Sequence, residues 1–331
     1  MFNRPLIPIL LILLVALLFW LRQPAGESMV SRTALVMGTL VEIKAYGEDR
    51  AQLEETIDTA FNEMVRLEQL FSSHLPESEI SRLSAATGSF AVSRETAVLL
   101  ELGIEMARLS DGAFDLGLGR LKDLWDIGGE NPQIPGEQSL RRALHGAGPA
   151  ALQLEGLQVR KQAPDLHIDL GGIAKGYIID RAAELLLQAG VSSAAVNAGG
   201  DIRLLGDRQG QDWRIGIQHP RESDATMATL NLRNRAVVTS GDYERFFVRD
   251  GIRYHHLFDP QNGRPARGCQ SVTVVAADAA SADALATAAF VLGPRAGLDL
   301  LEQLPDVEGL LVTADGRRLA TAGIESALEW H

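Results

Sequence analysis

The sequence contains a single cysteine, Cys269, among its 331 residues. One thiol excludes an intramolecular disulfide framework and any zinc site built from several cysteines. The stability of the fold must therefore come from packing. The composition allows this, because 46% of the residues are hydrophobic and 22% are charged, close to the average of globular proteins.

Positive charge is also scarce. The 31 Lys and Arg residues stand against 43 Asp and Glu residues, which gives a net charge of −12, and no basic block offsets it. Contacts to phosphate supply most of the affinity of proteins for nucleic acids, so this balance argues against a nucleic-acid partner. At roughly 100–200 residues per domain, the length fits one large domain or two ordinary ones.

A long apolar run occupies Leu6 to Leu21, with Arg4 before it and Arg22 after it. The run is shorter than the roughly 20 residues of a comfortable transmembrane helix, yet long for the apolar part of a signal peptide. No small-x-small cleavage site follows it, which favours an uncleaved anchor over a removed signal. No cysteine follows it to be acylated, which excludes a lipoprotein.

These observations predict three regions: a signal peptide or membrane anchor helix at 1–23, a linker at 24–33 and one domain at 34–331. Both interpretations of the first region export the rest of the chain. We therefore expect the protein at the inner membrane on its periplasmic side, or in the periplasm if the first region is cleaved.

Hydrophobic spacing predicts both helices and strands. Residues 34–46 fit a strand that is interrupted at 37–39, and apolar positions recur at helical spacing over 50–71 and 94–109. Another helix is expected between Gly172 and Ala189, and short strands dominate from Leu152 onward. Because strands and helices do not alternate strictly, the sequence favours an α+β fold over a doubly wound sheet.

The segment Asp169-Leu-Gly-Gly-Ile-Ala-Lys175 is the first of four that carry chemically useful residues. It predicts a strand end that turns through glycines into a helix, where backbone N–H groups and the helix N-terminus favour an anion. Lys175, in the first helical turn, is electrostatically unfavourable there unless an anion lies nearby. The segment matches neither a P-loop nor the G-x-G-x-x-G fingerprint, and an ordinary tight turn is the alternative.

Two further segments combine Asp, Gly and His. Taken alone, Asn197-Ala-Gly-Gly-Asp201 fits a hairpin turn. His255 and His256 are adjacent on a predicted strand, so their side chains point to opposite faces and only one can line a given pocket. A strand histidine is more often structural than catalytic, but this pair directly precedes the turn at Asp259-Pro260.

The fourth segment contains Asp283 and Thr287, which are separated by one helical turn among Ala and Leu residues. Both oxygens therefore lie on one face of the helix. A carboxylate that faces a core needs partners or a cation, and ligand sets made only of oxygen suit Mg²⁺. A hydrogen-bonded Asp–Thr pair on an exposed face is the alternative.

Together and in this order, these segments resemble the ApbE family, the FAD:protein FMN transferases. Eight motifs in register carry the resemblance, over about residues 34 to 325. They are Met37–Thr39, Ser78–Leu83, Gly112–Asp115, Asp169–Gly176, Asn197–Asp201, Thr239–Tyr243, His256–Pro260 and Ala282–Thr287.

The resemblance implies a duplicated, T-fold-like α+β architecture with a nucleotide site between its lobes. It implies that the protein uses Mg²⁺ and FAD, transfers the FMN moiety to a Ser or Thr hydroxyl of a target flavoprotein, and releases AMP. By the same analogy, the target would be a subunit of a membrane electron-transport complex of the Rnf or sodium-pumping type, or another exported flavoprotein. An Mg²⁺-dependent FAD pyrophosphatase and a non-catalytic FAD-binding protein are the alternatives.

The resemblance also implies roles for particular residues. His256 would be the general base that takes the proton from the acceptor hydroxyl, and a usual pKa of about 6.5 would make transfer rise through pH 7–8. Asp283, Thr287 and the backbone carbonyl of Gly172 would hold Mg²⁺. The residues implied to contact FAD are Met37, Ala113, Phe114, Asp115, Asp169, Lys175 and Leu257.

Overall fold

A computed structural model describes residues 28–331. The expected N-terminal anchor helix lies outside the described residues. Among the helices that are described, none is long and apolar enough to cross a membrane.

The helices of the described residues are α1 (Arg50–Phe71), α2 (Glu79–Ala85), α3 (Arg94–Leu109), α4 (Gly119–Trp125), α5 (Glu137–Ala143), α6 (Ala174–Gln188), α7 (Ala279–Leu292), α8 (Pro294–Glu302) and α9 (Ala322–Ala327). The strands are β1 (Ser28–Val36), β2 (Thr39–Gly47), β3 (Phe90–Ala91), β4 (Leu152–Glu155), β5 (Gln158–Lys161), β6 (Ser193–Ala198), β7 (Asp201–Leu205), β8 (Trp213–Gln218), β9 (Thr226–Leu232), β10 (Ala236–Gly241), β11 (Phe246–Arg249), β12 (Ile252–His255), β13 (Phe258–Asp259), β14 (Arg264–Pro265), β15 (Cys269–Ala276), β16 (Glu308–Thr313), β17 (Arg318–Ala320) and β18 (Glu329–Trp330).

An eight-stranded sheet forms the centre of the fold, in the order β1-β2-β6-β7-β10-β15-β16-β17. Its strand pairs are antiparallel, as expected of an α+β protein. Because β1 begins at Ser28, residues 28–33 belong to this sheet, and the prediction that they form a linker is wrong. The duplication implied by the resemblance stays a prediction.

The predicted interruption at 37–39 is a hairpin turn. Met37 and Gly38 both have positive φ, 55° and 69°, as in the two-residue turns that join twisted antiparallel strands. The long predicted strand is therefore two strands, β1 and β2, which pair along their whole length.

Four helices, α1, α6, α7 and α8, cover one face of the large sheet. From one edge of the sheet to the other, they lie in the same order as the strands on which they pack. Successive side chains of a strand point to opposite faces of the sheet, so one strand contributes side chains to both faces. Val238 and Val274 point into the main core under the helices, whereas Val237 and Val275 point to a second core beneath the small sheet β18-β9-β8.

Helix α1 illustrates why the sequence forms this layer. Its buried residues recur every three or four positions from Leu53 to Phe71, and the Asp49 side chain caps the helix by accepting from the N–H groups of Ala51 and Gln52. The predicted bounds of α1 and α3 are confirmed.

A smaller cluster around Trp125 holds the hairpin β11–β12 beside the large sheet. The Trp125 ring packs against Tyr254 and Phe258 at centroid distances of 5.8 and 5.9 Å. Its indole N–H donates to the carbonyl oxygen of Gly263 at 2.8 Å. This packing fixes the chain around His256 against α4.

Helices α6 and α7 approach each other at Gly176. A Cβ atom at this position would lie 2.2 Å from the backbone oxygen of Ala279, so only glycine fits. One turn further along α6, Asp180 accepts from the N–H groups of Ala279 and Ala280 at 2.9 and 2.8 Å. Burial raises the pKa of Asp180 to about 7, although these two donors oppose the shift. The first turn of α7 is thus held in place against α6.

The close approach predicts that Gly176→Ala destabilises the protein by about 1–3 kcal/mol, the usual cost of overpacking. Gly136→Ala is the matched control, because its backbone φ is −74° and its Cβ would meet nothing within 4 Å. Chemical denaturation of both variants measures the difference. Equal free energies of unfolding would show that the helices do not need this contact.

Candidate functional site

The candidate site lies where β6 ends and β7 begins, beside the end of β10 and the start of α6. Asp201, the first residue of β7, is 2% exposed. Its Oδ1 accepts from the backbone N–H of Thr239 in β10 at 3.2 Å. The Asn197–Asp201 segment is therefore a hairpin turn, as the sequence allowed, and it also delivers a buried carboxylate to the site.

Lys175 forms an ion pair with that carboxylate, with 2.5 Å between its Nζ and Asp201 Oδ2. Burial disfavours the charge of Lys175, but the carboxylates of Asp201 and Asp283 outweigh it and raise the pKa of the amine. The sequence indicated that Lys175 needs an anion nearby. The carboxylate of Asp201 is that anion, so the protein itself supplies it.

Asp283 lies on the buried side of α7 and is 5% exposed. Its Oδ2 accepts from the backbone N–H of Gly176 at 3.1 Å. Burial raises the pKa of Asp283 to about 7; the neighbouring Asp201 adds to the shift and Lys175 opposes it. The alternative of an exposed Asp–Thr pair is wrong, because this carboxylate faces the interior.

Thr287 lies one turn further along α7, with its Oγ1 3.4 Å from the hydroxyl of Ser240. A Cβ at Gly172 would lie 3.1 Å from that Oγ1 and 3.2 Å from the ring of Phe114. The glycine turn before α6 therefore runs directly past Thr287.

Asp283 offers a carboxylate, Thr287 offers a hydroxyl, and the backbone of the turn at Gly172 lies beside them. Together they form a set of oxygen donors. The described residues contain no group of three or more His, Cys, Asp or Glu side chains suited to a metal ion. Mg²⁺ commonly uses one or two carboxylates and completes its shell with waters and substrate phosphates. The raised pKa of Asp283 also shows a buried carboxylate that lacks enough nearby positive charge. The residues present fit Mg²⁺.

The Ala113–Asp115 loop lies next to Asp169. The backbone N–H of Asp169 donates to the carbonyl of Leu116 at 2.9 Å, and Asp115 accepts from the N–H of Gly117 at 2.7 Å. Burial raises the pKa of Asp115, although this N–H opposes the shift.

Other residues implied to contact FAD have different surroundings. Phe114 and Leu257 are buried in the main core, and Met37 is half-buried at the β1–β2 turn. The FAD contacts implied for these residues stay predictions.

Asp169 has a partner that the sequence did not indicate. Lys122 of α4 places its Nζ 3.0 Å from Asp169 Oδ1 and 3.2 Å from the hydroxyl of Ser73. Burial opposes the charge of Asp169, but Lys122 outweighs it and lowers the pKa of the carboxyl. No local pattern could have revealed this pair, because 47 positions separate the two residues.

The two adjacent histidines have different surroundings, as strand alternation predicts. His255 is 2% exposed, and its ring packs edge-on against Phe290. Its Nε2 lies 2.7 Å from the carbonyl oxygen of Ala266, and its Nδ1 accepts from the N–H of Leu257. Both ring nitrogens are engaged, so His255 is structural. Strand β12 ends at His255, so His256 lies just beyond the strand on which both histidines were predicted.

His256 is half-buried, and its Nδ1 lies 3.3 Å from the carbonyl oxygen of Arg245. A carbonyl can only accept, so the proton of the neutral ring belongs on Nδ1 and Nε2 keeps its lone pair. Burial, together with the positive charge of Arg245, lowers the pKa of His256 well below its usual value. The positive charge of Lys175 contributes to the same lowering of the pKa.

Asp242 and Asp259, which lie on either side of the histidine pair in the sequence, both have structural partners. Asp242 accepts two hydrogen bonds of 2.7 Å from Arg221 and one of 2.9 Å from Arg253. Asp259 closes its own turn by accepting from the N–H of Gln261 at 2.9 Å. Neither carboxylate is available as a base.

Known proteins resemble this chain over nearly all of the described part. The model of the ApbE family matches residues 37–311. The FAD:protein FMN transferase of Treponema pallidum is 36% identical over 89% of this chain and 87% of its own length. That of Vibrio cholerae is 35% identical, over 89% and 90%.

Solved structures agree. The ApbE protein of Thermotoga maritima superposes with a TM-score of 0.84 at 34% identity, covering 91% of this chain and 99% of its own. The flavin transferase ApbE of Vibrio cholerae superposes with a TM-score of 0.81 at 31% identity, covering 91% and 100%. With the family model matched over most of its length, and with these relatives and structures alongside, this chain belongs to the ApbE family.

Proposed function

We propose that this protein is an Mg²⁺-dependent FAD:protein FMN transferase that acts on a Ser or Thr hydroxyl and releases AMP. Membership of the family and the names of its relatives support the transferase activity. The observation that carries the rest is the ion pair of the half-buried Lys175 with the buried Asp201, beside the buried Asp283, together with the half-buried His256, whose pKa Lys175 helps to lower. This group combines a fixed cation, a carboxylate suited to Mg²⁺ and a neutral base.

The chemical difficulty is electrostatic. The pyrophosphate of FAD is negatively charged and repels the oxygen of an incoming hydroxyl. At Asp283, Thr287 and the carbonyl of Gly172, Mg²⁺ would supply positive charge to the phosphate oxygens. Lys175 is oriented by its ion pair with Asp201 and keeps N–H donors to stabilise charge on the AMP that leaves.

His256 then has one task. Its Nε2 accepts the proton of the acceptor hydroxyl while that oxygen bonds to the phosphorus on the FMN side, and the bond from this phosphorus to the bridging oxygen breaks. The Arg245 carbonyl holds the ring in the required tautomer through Nδ1.

We also propose that residues 1–23 hold the protein at the inner membrane, with the remainder on the periplasmic side. The apolar run at Leu6 to Leu21 supports this location. The proposed acceptor is an exported or membrane-bound flavoprotein, such as a subunit of an Rnf-type or sodium-pumping complex.

His256→Ala is expected to lower single-turnover FMN transfer by about two orders of magnitude or more, the usual contribution of a general base. FAD affinity should persist, because the groups proposed to bind FAD lie elsewhere. His255→Ala should act through stability: it should unfold at lower denaturant concentration and retain transfer per folded molecule. An inactive but stably folded His255→Ala would reverse the two assignments.

The lowered pKa of His256 replaces the expected rise of transfer through pH 7–8 with a different prediction. Because the pKa of His256 is lowered, its neutral form is populated at pH 7 and pH 8 alike. At saturating Mg²⁺ the wild-type rate should therefore be flat over that range and fall only at more acidic pH. Single-turnover rates against pH measure this. A rise between pH 7 and pH 8 that disappears in His256→Ala would contradict the lowered pKa.

Asp283→Asn keeps the shape of the side chain and removes its charge. We expect Mg²⁺ affinity to fall by at least about tenfold, measured calorimetrically with ADP, which carries the adenosine and pyrophosphate of FAD. Asp299→Asn, on the exposed side of α8, is the matched control. Unchanged Mg²⁺ affinity in Asp283→Asn would remove this residue from the metal site.

The stability of Asp283→Asn tests whether the ionised carboxylate of Asp283 is unfavourable in the folded protein. The folded-state pKa of Asp283 is raised to about 7, so ionisation costs stability as pH rises through that value. At pH 8 without Mg²⁺, Asp283→Asn should be at least as stable as the wild type. A clear loss of stability would show that the ionised carboxylate is favoured in the folded protein.

Deletion of residues 1–23 should release the protein from the inner-membrane fraction. Fractionation and immunoblotting of the full and shortened chains make the comparison. A soluble product of the full-length gene with a new N-terminus near Gly26 would show that the segment is a cleaved signal.

A further inference from the structure

Lys122 and Asp169 form an ion pair at the start of the glycine turn that leads into α6. Lys122 Nζ lies 3.0 Å from Asp169 Oδ1, and the two side chains are 26% and 22% exposed. Solvent and salt screen a pair that is largely withdrawn from water less than they screen a pair on the surface. The pair therefore holds the Asp169 carboxylate in one position.

Backbone hydrogen bonds place Lys122 next to this carboxylate. The N–H of Gly119, the first residue of α4, donates to the carbonyl of His167 at 3.1 Å. The N–H of Asp169 donates to the carbonyl of Leu116 at 2.9 Å. These two bonds join the chain before α4 to the chain that ends at Asp169. Lys122 follows Gly119 by almost one helical turn, so it lies on the part of α4 that is fixed against Asp169.

The two oxygens of Asp169 have different surroundings. Oδ1 accepts from Lys122 and from the N–H of Gly171 at 3.3 Å. Lys122 also donates to the hydroxyl of Ser73 at 3.2 Å, which ties the pair to the loop after α1. Within residues 28–331, no hydrogen bond is donated to Oδ2, although a carboxylate oxygen can accept about two. Oδ2 is therefore the oxygen that can accept from a ligand.

Asp169 lies close to the proposed Mg²⁺ site. Gly172, whose carbonyl is proposed to hold Mg²⁺, follows it by three positions, which span at most about 11 Å. In FAD, the adenine ring is joined to the pyrophosphate through a ribose and the isoalloxazine ring through a ribityl chain. With the pyrophosphate at Mg²⁺, one of these two rings can therefore reach Asp169.

The charge of Lys122 decides what Asp169 can do at this place. Burial favours the neutral carboxyl, but the cation outweighs it and lowers the pKa of Asp169. The carboxylate is therefore ionised at pH 7 and can only accept hydrogen bonds. An ionised carboxylate alone would repel the nearby pyrophosphate. Paired with Lys122, it adds no net charge and still offers Oδ2 to an N–H donor.

We propose that Lys122 is a positioning residue for FAD, which holds Asp169 by Oδ1 so that Oδ2 accepts a hydrogen bond from a ring N–H group of FAD. The proposal rests on the FAD-dependent function proposed above. FAD offers two such groups, the imide N–H of the isoalloxazine ring and the amine of the adenine ring. Lys122 touches neither ring, and its effect on FAD passes through Asp169.

The test is calorimetric binding of FAD to the full chain without added Mg²⁺, so that FAD is bound and not consumed. Lys122→Met removes the cation and keeps a long side chain. We expect FAD affinity to fall by about tenfold, a usual loss when a hydrogen bond to a charged group is weakened. Lys122→Arg should retain most of the affinity. Lys44→Met is the matched control, because it removes the ion pair of 3.4 Å with Glu42 in β2, and it should bind FAD like the wild type.

A double-mutant cycle shows whether Lys122 acts through Asp169. Asp169→Asn should lower FAD affinity about as much as Lys122→Met, and the double variant should bind no more weakly than the weaker single variant. Losses that multiply would show that Lys122 acts on FAD independently of Asp169. Unchanged affinity in a folded Lys122→Met would show that the pair is only structural. Either result overturns the proposal.

FMN and ADP, measured in the same way, distinguish the two rings. A loss in Lys122→Met that is confined to FMN assigns the N–H group to the isoalloxazine ring, and a loss confined to ADP assigns it to adenine. Both results support the proposal, whereas a loss for both ligands or for neither would contradict it. No acceptor is used, so a protein that binds FAD in this way and modifies no flavoprotein would contradict the proposed transferase alone.

Discussion

The site depends on the imbalance of charge among Lys175, Asp201 and Asp283. Two buried carboxylates influence one amine, and Asp201 forms the ion pair with it. Asp283 is left with a backbone N–H donor and a raised pKa. A carboxylate in this condition gains stability from a cation. The pyrophosphate of FAD has the same requirement, because its negative charge must be neutralised before a hydroxyl can approach. In the proposed reaction, one Mg²⁺ ion between Asp283 and the substrate would meet both requirements.

The fold maintains this imbalance by bringing separate elements to one end of the sheet. Asp201 arrives from a hairpin turn between β6 and β7, and Asp283 from a helix packed on β10 and β15. Gly176 allows α6 and α7 to approach, and Asp180 holds the first turn of α7. The close approach at Gly176 and the hydrogen bonds of Asp180 therefore help to fix the position of Asp283, although neither residue touches a proposed substrate.

The sequence predicted the parts of the site that follow from local periodicity. The i, i+4 spacing put Asp283 and Thr287 on one side of a helix, and alternation separated His255 from His256. Contacts between distant segments could not be predicted. The Lys122–Asp169 pair joins α4 to the glycine turn, and the pKa of His256 depends on Arg245 and on burial. Residues 28–33 were predicted to be a linker but form part of β1. That strand depends on pairing with residues of β2, which the local sequence does not reveal.

The central claim is that a protein hydroxyl, and not water, attacks the phosphorus on the FMN side. The most direct measurement is the reaction of FAD, Mg²⁺ and an acceptor flavoprotein in water enriched in ¹⁸O, with mass spectrometry of the products. The account predicts an acceptor that carries FMN without ¹⁸O, together with unlabelled AMP. Free FMN labelled with ¹⁸O beside an unmodified acceptor, or labelled AMP, would contradict it.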